Sequence, residues 1–324
     1  MNNGETRAKI LITRKLPPKA EAGFATSFDA HLNAEDAPKS HDQIVAEAEG
    51  MDGIALTSMD KFTADLINRL PASVKILSTV SVGHEHLDIP AAIARGITVT
   101  NTPDVLTDAT ADIALLLMLG AARGAYWGER MVRENRWAGF SIVYPLGHDF
   151  SDMRLGILGM GRIGVAVAKR AKAFGLELHY HNRNPSPEAD ALGATYHASF
   201  DALLPHCDFL SVNCPMTPET KGIINTRSLS LMPKGSIVVN TARGGIVVDE
   251  DLIASLKSGH TAAAGLDVYN NEPNLDPRYR DLDNVFLLPH LGSATIRTRT
   301  NMGLRALANM KSFFAGETPK DKLG

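Results

Sequence analysis

The chain has 324 residues, room for about two domains at ~150 residues each. Hydrophobic residues make up 44% and charged residues 21%, a globular balance that excludes disordered, collagenous and coiled-coil classes. Lys and Arg number 33 against 36 Asp and Glu, a net charge of −3, so no basic excess exists to neutralise a phosphate backbone and nucleic acid is not an expected partner.

The first five residues, Met1 to Glu5, contain no apolar signal-peptide core. Lys15-Leu16-Pro17-Pro18-Lys19 reads as the first turn of a helix rather than as a polyproline ligand. Short β-branched runs lie at 9–13, 53–57, 74–78 and 97–100, with helical stretches such as 41–49 and 89–95 between them. Short apolar strands alternating with helices predict a parallel sheet covered on both faces.

Asn101-Thr102-Pro103-Asp104 is a turn, and 107–123 then reads as one long helix rich in Ala and Leu. It is apolar nearly all round, which predicts burial against more than one neighbour. Its apolar run, 113–122 between Asp112 and Arg123, falls well short of the ~20 residues of a membrane span, and no membrane partner is expected. Residues 124–151 hold both tryptophans, Trp127 and Trp137, and read as an irregular arm. Such a segment is functional or packs on a partner, and with the long helix it predicts a two-fold homodimer.

The strand–helix rhythm resumes at Arg154, with strands at 155–158, 176–181, 209–213, 236–240, 263–268 and 285–288. Six strands are the count of a doubly wound dinucleotide-binding sheet. A last helical pattern, 295–314, can return to the first domain and make it discontinuous. The expected fold is therefore α/β: two Rossmann-like or flavodoxin-like parallel-sheet domains with a cleft between them, one of 1–101 plus 292–324 and one of 102–291. The first is expected to bind substrate and the second the dinucleotide.

Two cysteines, Cys207 and Cys214, are too few for a disulfide framework or a cysteine zinc site, and they fit a reduced, cytoplasmic protein. His84 with His86, and His179 with His181, stand at strand spacing without a third ligand, so no metal is expected.

Gly159-Met160-Gly161-Arg162-Ile163-Gly164 is a GxGxxG that follows an apolar strand and opens a helix. The first glycine permits a tight turn, the second lets the backbone approach a pyrophosphate, and the third allows close helix–strand packing. The pyrophosphate then sits on the positive helix N-terminus. An Asp or Glu at the end of the next strand would bind the ribose 2′-hydroxyl of NAD, but this chain has His181-Asn182-Arg183-Asn184, and Glu177 comes too early. Arg183 instead offers a fixed positive fork to a 2′-phosphate, which predicts NADPH over NADH.

Three further strand ends carry charged or titratable residues. They are Thr241-Ala242-Arg243-Gly244-Gly245, Asp267-Val268-Tyr269-Asn270-Asn271-Glu272-Pro273, and Pro289-His290-Leu291-Gly292-Ser293. C-terminal strand ends are where open α/β sheets bind ligands. A 2-ketoacid suits these residue types. Arg243 can grip its oxygens through two N–H groups and polarise the ketone. His290 can give a proton, and Glu272 can stabilise the imidazolium and fix its tautomer. A dihydronicotinamide supplies the hydride.

With Ile76 to Gly83, Thr102 to Asp108, Cys214 to Thr220, Ala264 to Val268 and Pro289 to Thr300, these motifs resemble those of the D-2-hydroxyacid dehydrogenases. Within that family the sequence is most similar to NADPH-using glyoxylate/hydroxypyruvate reductases. The resemblance implies that Arg243 orients substrate and that Glu272 and His290 are the acid/base pair. It implies that backbone N–H groups of Val82 and Gly83 hold the substrate carboxylate, with Ser293 lining the pocket. It assigns Gly159, Gly161, Arg162, Ile163 and Gly164 to the pyrophosphate, and Asn182, Arg183 and Asn184 to the 2′-phosphate. Pro215, Thr241, Asp267 and Gly292 take further cofactor contacts, Asp267 facing the nicotinamide amide. The D configuration of the product rests on the resemblance alone.

The chain also departs from the pattern. Where several of these reductases carry a tryptophan in the arm, this chain has Phe140, so the indole donor is lost. Leu56 and Met59, on the loop after a first-domain strand, are expected to face the substrate side chain, and they too are apolar. A reductase of larger apolar 2-ketoacids is the alternative enzyme, and a cofactor-sensing corepressor the alternative outside enzymes. The absence of a further domain after residue 324 is unlike the larger phosphoglycerate dehydrogenases, and Glu272 in place of glutamine is unlike a formate dehydrogenase.

Overall fold

A computed structural model describes residues 7–143 and 146–324. The signal-peptide reading of Met1 to Glu5 lies outside these residues, as does the part of the arm at Tyr144 and Pro145. The chain divides into two compact units, Met1–Leu106 with Thr295–Gly324, and Thr107–Ala294. Both divisions fall a few residues beyond the expected ones, for a local reason. Thr102 still donates its N–H to Ser81 O at 2.9 Å in the first unit, and the 291–294 turn is closed by Ala294 N–H on Leu291 O at 2.8 Å in the second.

The first unit begins with β1 (Lys9–Ile12), α1 (Pro18–Ser27), β2 (Asp29–His31), α2 (His41–Glu47), β3 (Gly53–Leu56), α3 (Ala64–Arg69), β4 (Ile76–Thr79), α4 (Ile89–Ala94) and β5 (Thr98–Thr100). Three of these helices start on side-chain caps, Ser40 in a capping box with Gln43, then Thr63 and Asp88. The second unit contains α5 (Thr107–Ala122), α6 (Ala125–Arg133), β6 (Arg154–Leu158), α7 (Arg162–Ala173), β7 (Glu177–His181), α8 (Pro187–Asp190), β8 (Thr195–His197), α9 (Phe200–Leu203), β9 (Phe209–Val212), α10 (Thr226–Ser230), β10 (Ser236–Asn240), α11 (Asp249–Ser258), β11 (Thr261–Leu266) and β12 (Val285–Leu287). The chain then returns to the first unit with α12 (Ile296–Phe314) and β13 (Lys322–Leu323).

The first sheet has the order β13-β5-β4-β3-β1-β2, parallel except for β13, which runs antiparallel to β5. The second has seven strands, β12-β11-β10-β9-β6-β7-β8, all parallel. Its order reverses between β6 and β9, the switch point at which such sheets take their ligands. Two α/β units with parallel sheets are the expected architecture.

Each sheet is covered on both faces. In the second unit one core joins α5 and α7 to residues such as Leu155, Ile157 and Val239, and the other joins Leu158, Leu210 and Val238 to α9 and α11. α5 packs on β10, β11 and β12 of this sheet, with Gly120 seated on the Phe286 ring and Leu117 on Gly265. Its apolar character all round follows from those contacts and from its packing on α7.

Two expectations need correction. The arm is not irregular throughout, because α6 occupies Ala125–Arg133. No α6 residue is buried, although the helix is amphipathic, with Trp127, Met131 and Val132 among its apolar residues. It is held by Arg130–Glu134 and Arg133–Glu129 pairs one turn apart, after Gly124 (φ 59°) has ended α5. The short edge strands β2, β8 and β13 were also not anticipated.

Candidate active site

β10 ends at Asn240, whose buried side chain folds the next turn. Its Oδ1 accepts the Ala242 N–H at 2.9 Å and its Nδ2 donates to the Arg243 carbonyl at 2.9 Å. Arg243 is thereby presented on extended backbone, with its guanidinium Nη1 on the Ala242 carbonyl at 2.7 Å. At Gly244 a Cβ would lie 1.9 Å from the Tyr269 carbonyl carbon and 2.2 Å from its oxygen. Only glycine lets the loop after β10 lie against the loop after β11.

That second loop carries Glu272. Its Oε1 accepts the Tyr269 N–H at 2.8 Å, and its Oε2 lies 2.6 Å from Nδ1 of His290. Burial pushes the Glu272 carboxyl up. The hydrogen bond and charge of His290, the Tyr269 N–H and the Arg243 charge outweigh that effect and hold it below the usual carboxylate range. The carboxylate is therefore ionised at neutral pH, and it engages Nδ1 of the histidine. Nε2 is left as the ring nitrogen for a ligand, and the imidazole side chain is 45% exposed. One strand-end cluster thus brings Arg243, Glu272 and His290 together.

His290 itself sits in the left-handed region at φ 54°, which costs a non-glycine residue ~1 kcal/mol and needs support. The support is Asp267, which is 1% exposed. Its carbonyl accepts the His290 N–H at 2.9 Å, and its two carboxylate oxygens accept the N–H groups of Leu291 at 2.6 Å and Gly292 at 2.7 Å. Burial pushes the Asp267 carboxyl up, and those two N–H groups offset part of the rise. Both Asp267 oxygens accept from the His290 loop, each through one N–H. The Gly292 carbonyl accepts from Thr110 Oγ1 of α5 at 3.1 Å.

The residues at the switch point fit a dinucleotide. Gly159 (φ 94°) closes the turn after β6, where a Cβ would meet Cys214 N at 2.6 Å, and a Cβ at Gly164 would meet the Gly159 carbonyl oxygen at 2.2 Å. At Gly161 a Cβ would meet nothing within 4 Å, and this residue caps α7 without a side-chain hydrogen bond. The cradle is thus open where a pyrophosphate would meet the helix N-terminus. Ile163 and Arg162 begin that helix. Farther along the strand ends, Asn213 Oδ1 and Thr241 Oγ1 are buried without a hydrogen-bond partner among the described residues. Unmatched buried oxygens of that kind suit a ligand that brings its own hydroxyl or amide donors.

After β7, Asn182 Nδ2 donates to the Asn184 carbonyl at 3.1 Å, and Arg183 is exposed. The Glu219 carboxyl, on the loop after β9, is held below its usual range by the Thr217 hydroxyl and also by the Arg183 charge, which places Arg183 near that loop. On the same loop the Pro215 carbonyl accepts from Thr220 Oγ1 at 2.7 Å. Glu177 stands at the opposite end of β7, with Oε1 3.0 Å from His179 Nε2. Among the described residues, no group of three His, Cys, Asp or Glu side chains is arranged to hold a metal ion, and no single helix is long and apolar enough to cross a membrane.

In the first unit, Val82 and Gly83 lie on the loop after β4. The Val82 carbonyl accepts from Asn101 Nδ2 at 2.8 Å and the Gly83 carbonyl from Ser81 Oγ at 2.7 Å. Leu56 corrects an expectation: it is the last residue of β3 rather than a loop residue, and its side chain is fully buried in the core with Leu77 and Phe62. Met59, in the following loop, is exposed. In the second unit Phe140 is 87% exposed, and Ser293 is half-buried three residues beyond His290.

Three participants were missed in the sequence. Tyr269 gives Glu272 its N–H, and its hydroxyl lies 2.7 Å from the Leu288 carbonyl and 2.9 Å from that of Leu266. Thr110 and Asn240 hold the other two loops. None carries a local signature, since each acts on backbone of a distant segment or of its own turn.

Residues 115–292 match the D-isomer specific 2-hydroxyacid dehydrogenase, NAD binding domain family. The chain is 41% identical over 314 residues to a glycerate dehydrogenase of Hyphomicrobium methylovorum, covering 96% of this chain and 97% of that protein. The crystal structure of a D-isomer specific 2-hydroxyacid dehydrogenase homologue from a Polaromonas species superposes with a TM-score of 0.94 at 42% identity, over 98% of this chain and 100% of that one. An NADPH-dependent glyoxylate/hydroxypyruvate reductase of Sinorhizobium meliloti, solved with NADP and malonate, gives 0.87 at 33% identity, over 98% and 97% of the two chains. With the family's domain matched over more than half its length, and relatives aligned along almost all of it, the chain belongs to the D-isomer specific 2-hydroxyacid dehydrogenases.

Proposed function

We propose that this enzyme reduces a small 2-ketoacid, glyoxylate or hydroxypyruvate, to the D-2-hydroxyacid with NADPH. The observation that carries the reading is the 2.6 Å contact of His290 Nδ1 with an ionised Glu272, within reach of the Arg243 charge. Arg243 grips two substrate oxygens and draws electron density from the ketone. His290 gives a proton from Nε2 to the carbonyl oxygen, and Glu272 stabilises the imidazolium that this transfer requires. When bound, the dihydronicotinamide supplies the hydride to the carbonyl carbon. The Val82 and Gly83 N–H groups take the substrate carboxylate.

The NADPH preference is supported by the Asn182-Arg183-Asn184 turn, which carries no carboxylate of its own and offers the Arg183 guanidinium to a 2′-phosphate. It is supported also by the NADP bound in the crystal structure of the Sinorhizobium relative. A homodimer is supported by the large apolar side chains left exposed on the arm and α6, among them Val132, Trp137, Phe140, Ile142, Val143 and Leu146. Two free, buried thiols support a reducing, cytoplasmic setting.

The test is a nicotinamide-oxidation screen over glyoxylate, hydroxypyruvate, pyruvate, phenylpyruvate and 2-ketoisocaproate, run with each cofactor. Glyoxylate or hydroxypyruvate is expected to lead, and Arg183→Ala to raise KM for NADPH about tenfold while leaving NADH unchanged. Preference for phenylpyruvate would overturn the substrate reading, and equal or better kcat/KM with NADH the cofactor reading. Light scattering at micromolar concentration is expected to give the mass of a dimer; a monomer's mass would refute that part.

A further inference from the structure

The loop after β4 is held from behind by two consecutive residues. The Ser81 carbonyl accepts the Thr102 N–H at 2.9 Å, and the Val82 carbonyl accepts Asn101 Nδ2 at 2.8 Å. A trans peptide is planar, and its N–H points opposite to its C=O. Fixing the Ser81 carbonyl therefore aims the Val82 N–H, and fixing the Val82 carbonyl aims the Gly83 N–H. These are the two donors assigned above to the substrate carboxylate.

Asn101 is itself locked by the C-terminal part of the chain. Its carbonyl accepts Asn309 Nδ2 at 3.1 Å, and its N–H donates to the Asp321 carbonyl at 3.3 Å. Asn309 lies on α12, is buried, and also donates to Asp321 Oδ2 at 3.0 Å. Arg305, one turn earlier on α12, engages both Asp321 oxygens, at 2.5 and 2.8 Å. The Asp321 side chain is 4% exposed. Burial pushes its carboxyl up, but Arg305 and Asn309 bring it below the usual range. With Asp321 buried and Arg305 a quarter exposed, desolvation of the carboxylate offsets much of the attraction, so the pair adds little as a mere staple. It does fix a geometry, and what it fixes here is Asn101.

We infer that Asn101, locked by Arg305, Asp321 and Asn309, is a positioning residue that aims the Val82 and Gly83 amides at the substrate carboxylate. The inference rests on the reading of that loop as the carboxylate grip, and it assigns α12 and the tail after it a part in substrate affinity. None of these four side chains is placed on the reacting atoms.

The variants are Asp321→Asn, which keeps the shape and removes the charge, and Asn101→Ala, which removes the donor to Val82. Steady-state kinetics with glyoxylate and NADPH separate the two substrates. Both variants are expected to raise KM for the ketoacid, about threefold to tenfold, the size of one lost or misaimed hydrogen bond. KM for NADPH and kcat should stay within twofold of wild type. A folded variant with unchanged KM for the ketoacid, or with both KM values rising together, overturns the inference, even if its thermal midpoint has dropped. Should Asp321→Asn not fold, Asn101→Ala leaves the ion pair in place and decides on the same readout. If wild-type enzyme reduces no 2-ketoacid, the functional reading fails, and amide exchange then tests the positioning by itself. Faster exchange at Val82 and Gly83 in Asn101→Ala supports it, and unchanged exchange overturns it.

Discussion

Gly244→Ala probes how tightly the site depends on its backbone. The new Cβ would be placed 1.9 Å from the carbonyl carbon of Tyr269, 2.2 Å from its oxygen and 2.3 Å from Asn270 N, where real Cβ atoms essentially never come under 3.0 Å. All three obstacles are main chain, so no rotamer change relieves them, and the loops after β10 and β11 must part by at least about 1 Å. Tyr269 holds Glu272 through its N–H, and Arg243 precedes the substituted residue, so the separation moves a guanidinium away from a carboxylate. Misplacement by ~1 Å costs about 10²-fold in rate. Overpacking adds a stability loss of roughly 1–3 kcal/mol, read as a fall of several degrees in the thermal midpoint. The expected result is kcat/KM down about 10²-fold in the NADPH-linked assay, with cofactor affinity by fluorescence titration unchanged. Gly128→Ala serves as control, since a Cβ there, on α6, meets nothing within 4 Å. A Gly244→Ala enzyme within twofold of wild type would refute the claim that the contact between these loops sets the catalytic geometry.

Other perturbations follow from the same contacts. Glu272→Gln removes the charge that stabilises the imidazolium, and kcat for reduction should fall ~10- to 10²-fold, with His290→Gln losing ~10²–10⁴-fold; near-normal turnover in either would end the acid/base assignment. Because Glu272 is held below the usual 4.5, the acid limb of the wild-type kcat/KM profile contributed by this carboxylate should lie below pH 4.5. Asp267→Asn turns an amide toward one of the two N–H groups of Leu291 and Gly292, leaving it unpaired at a cost of about 1–3 kcal/mol, and both the melting temperature and kcat should drop. Asp321 has its folded pKa depressed, so its stabilisation is present above its unfolded value of 3.8 and lost as pH falls through the folded value. Calorimetry should therefore show the gap between wild type and Asp321→Asn narrowing below about pH 4, and a constant gap would contradict the pairing.

Much of this molecule was legible because parallel strands covered on both faces must be apolar on both. β3, β4, β9 and β10 are buried at every position, and each is a continuous apolar or small-residue run in the sequence. The glycine loop was legible for a different reason. Turn, approach and packing all fall within six residues, so the whole device is local. The edge strands were not, because β2 and β8 are partly or fully exposed and have no apolar run to betray them. Leu56 falls inside the apolar 53–57 run, and its side chain faces the core where a loop residue would face ligand. The support that Asp267 gives the His290 loop leaves no trace in the sequence because its partners, Leu291 and Gly292, are backbone N–H groups, and N–H groups of that kind exist at every residue but proline.

The distribution of burial across the site explains why its supports leave so faint a trace. His290 is exposed and Arg243 half-buried, whereas Asp267, Asn240 and Thr110 are buried. The exposed side chains must be the right chemical type, so their identity speaks from the sequence. The buried ones must only place a hydrogen bond on a particular carbonyl or N–H, and several residue types can do that. Tyr269 is the extreme case. It joins the three loops through its backbone against Gly244, its N–H on Glu272 and its hydroxyl on the Leu288 carbonyl two residues before His290. A frame so joined moves as one body, and for that reason a methyl group at Gly244 is expected to disturb a histidine that it does not touch.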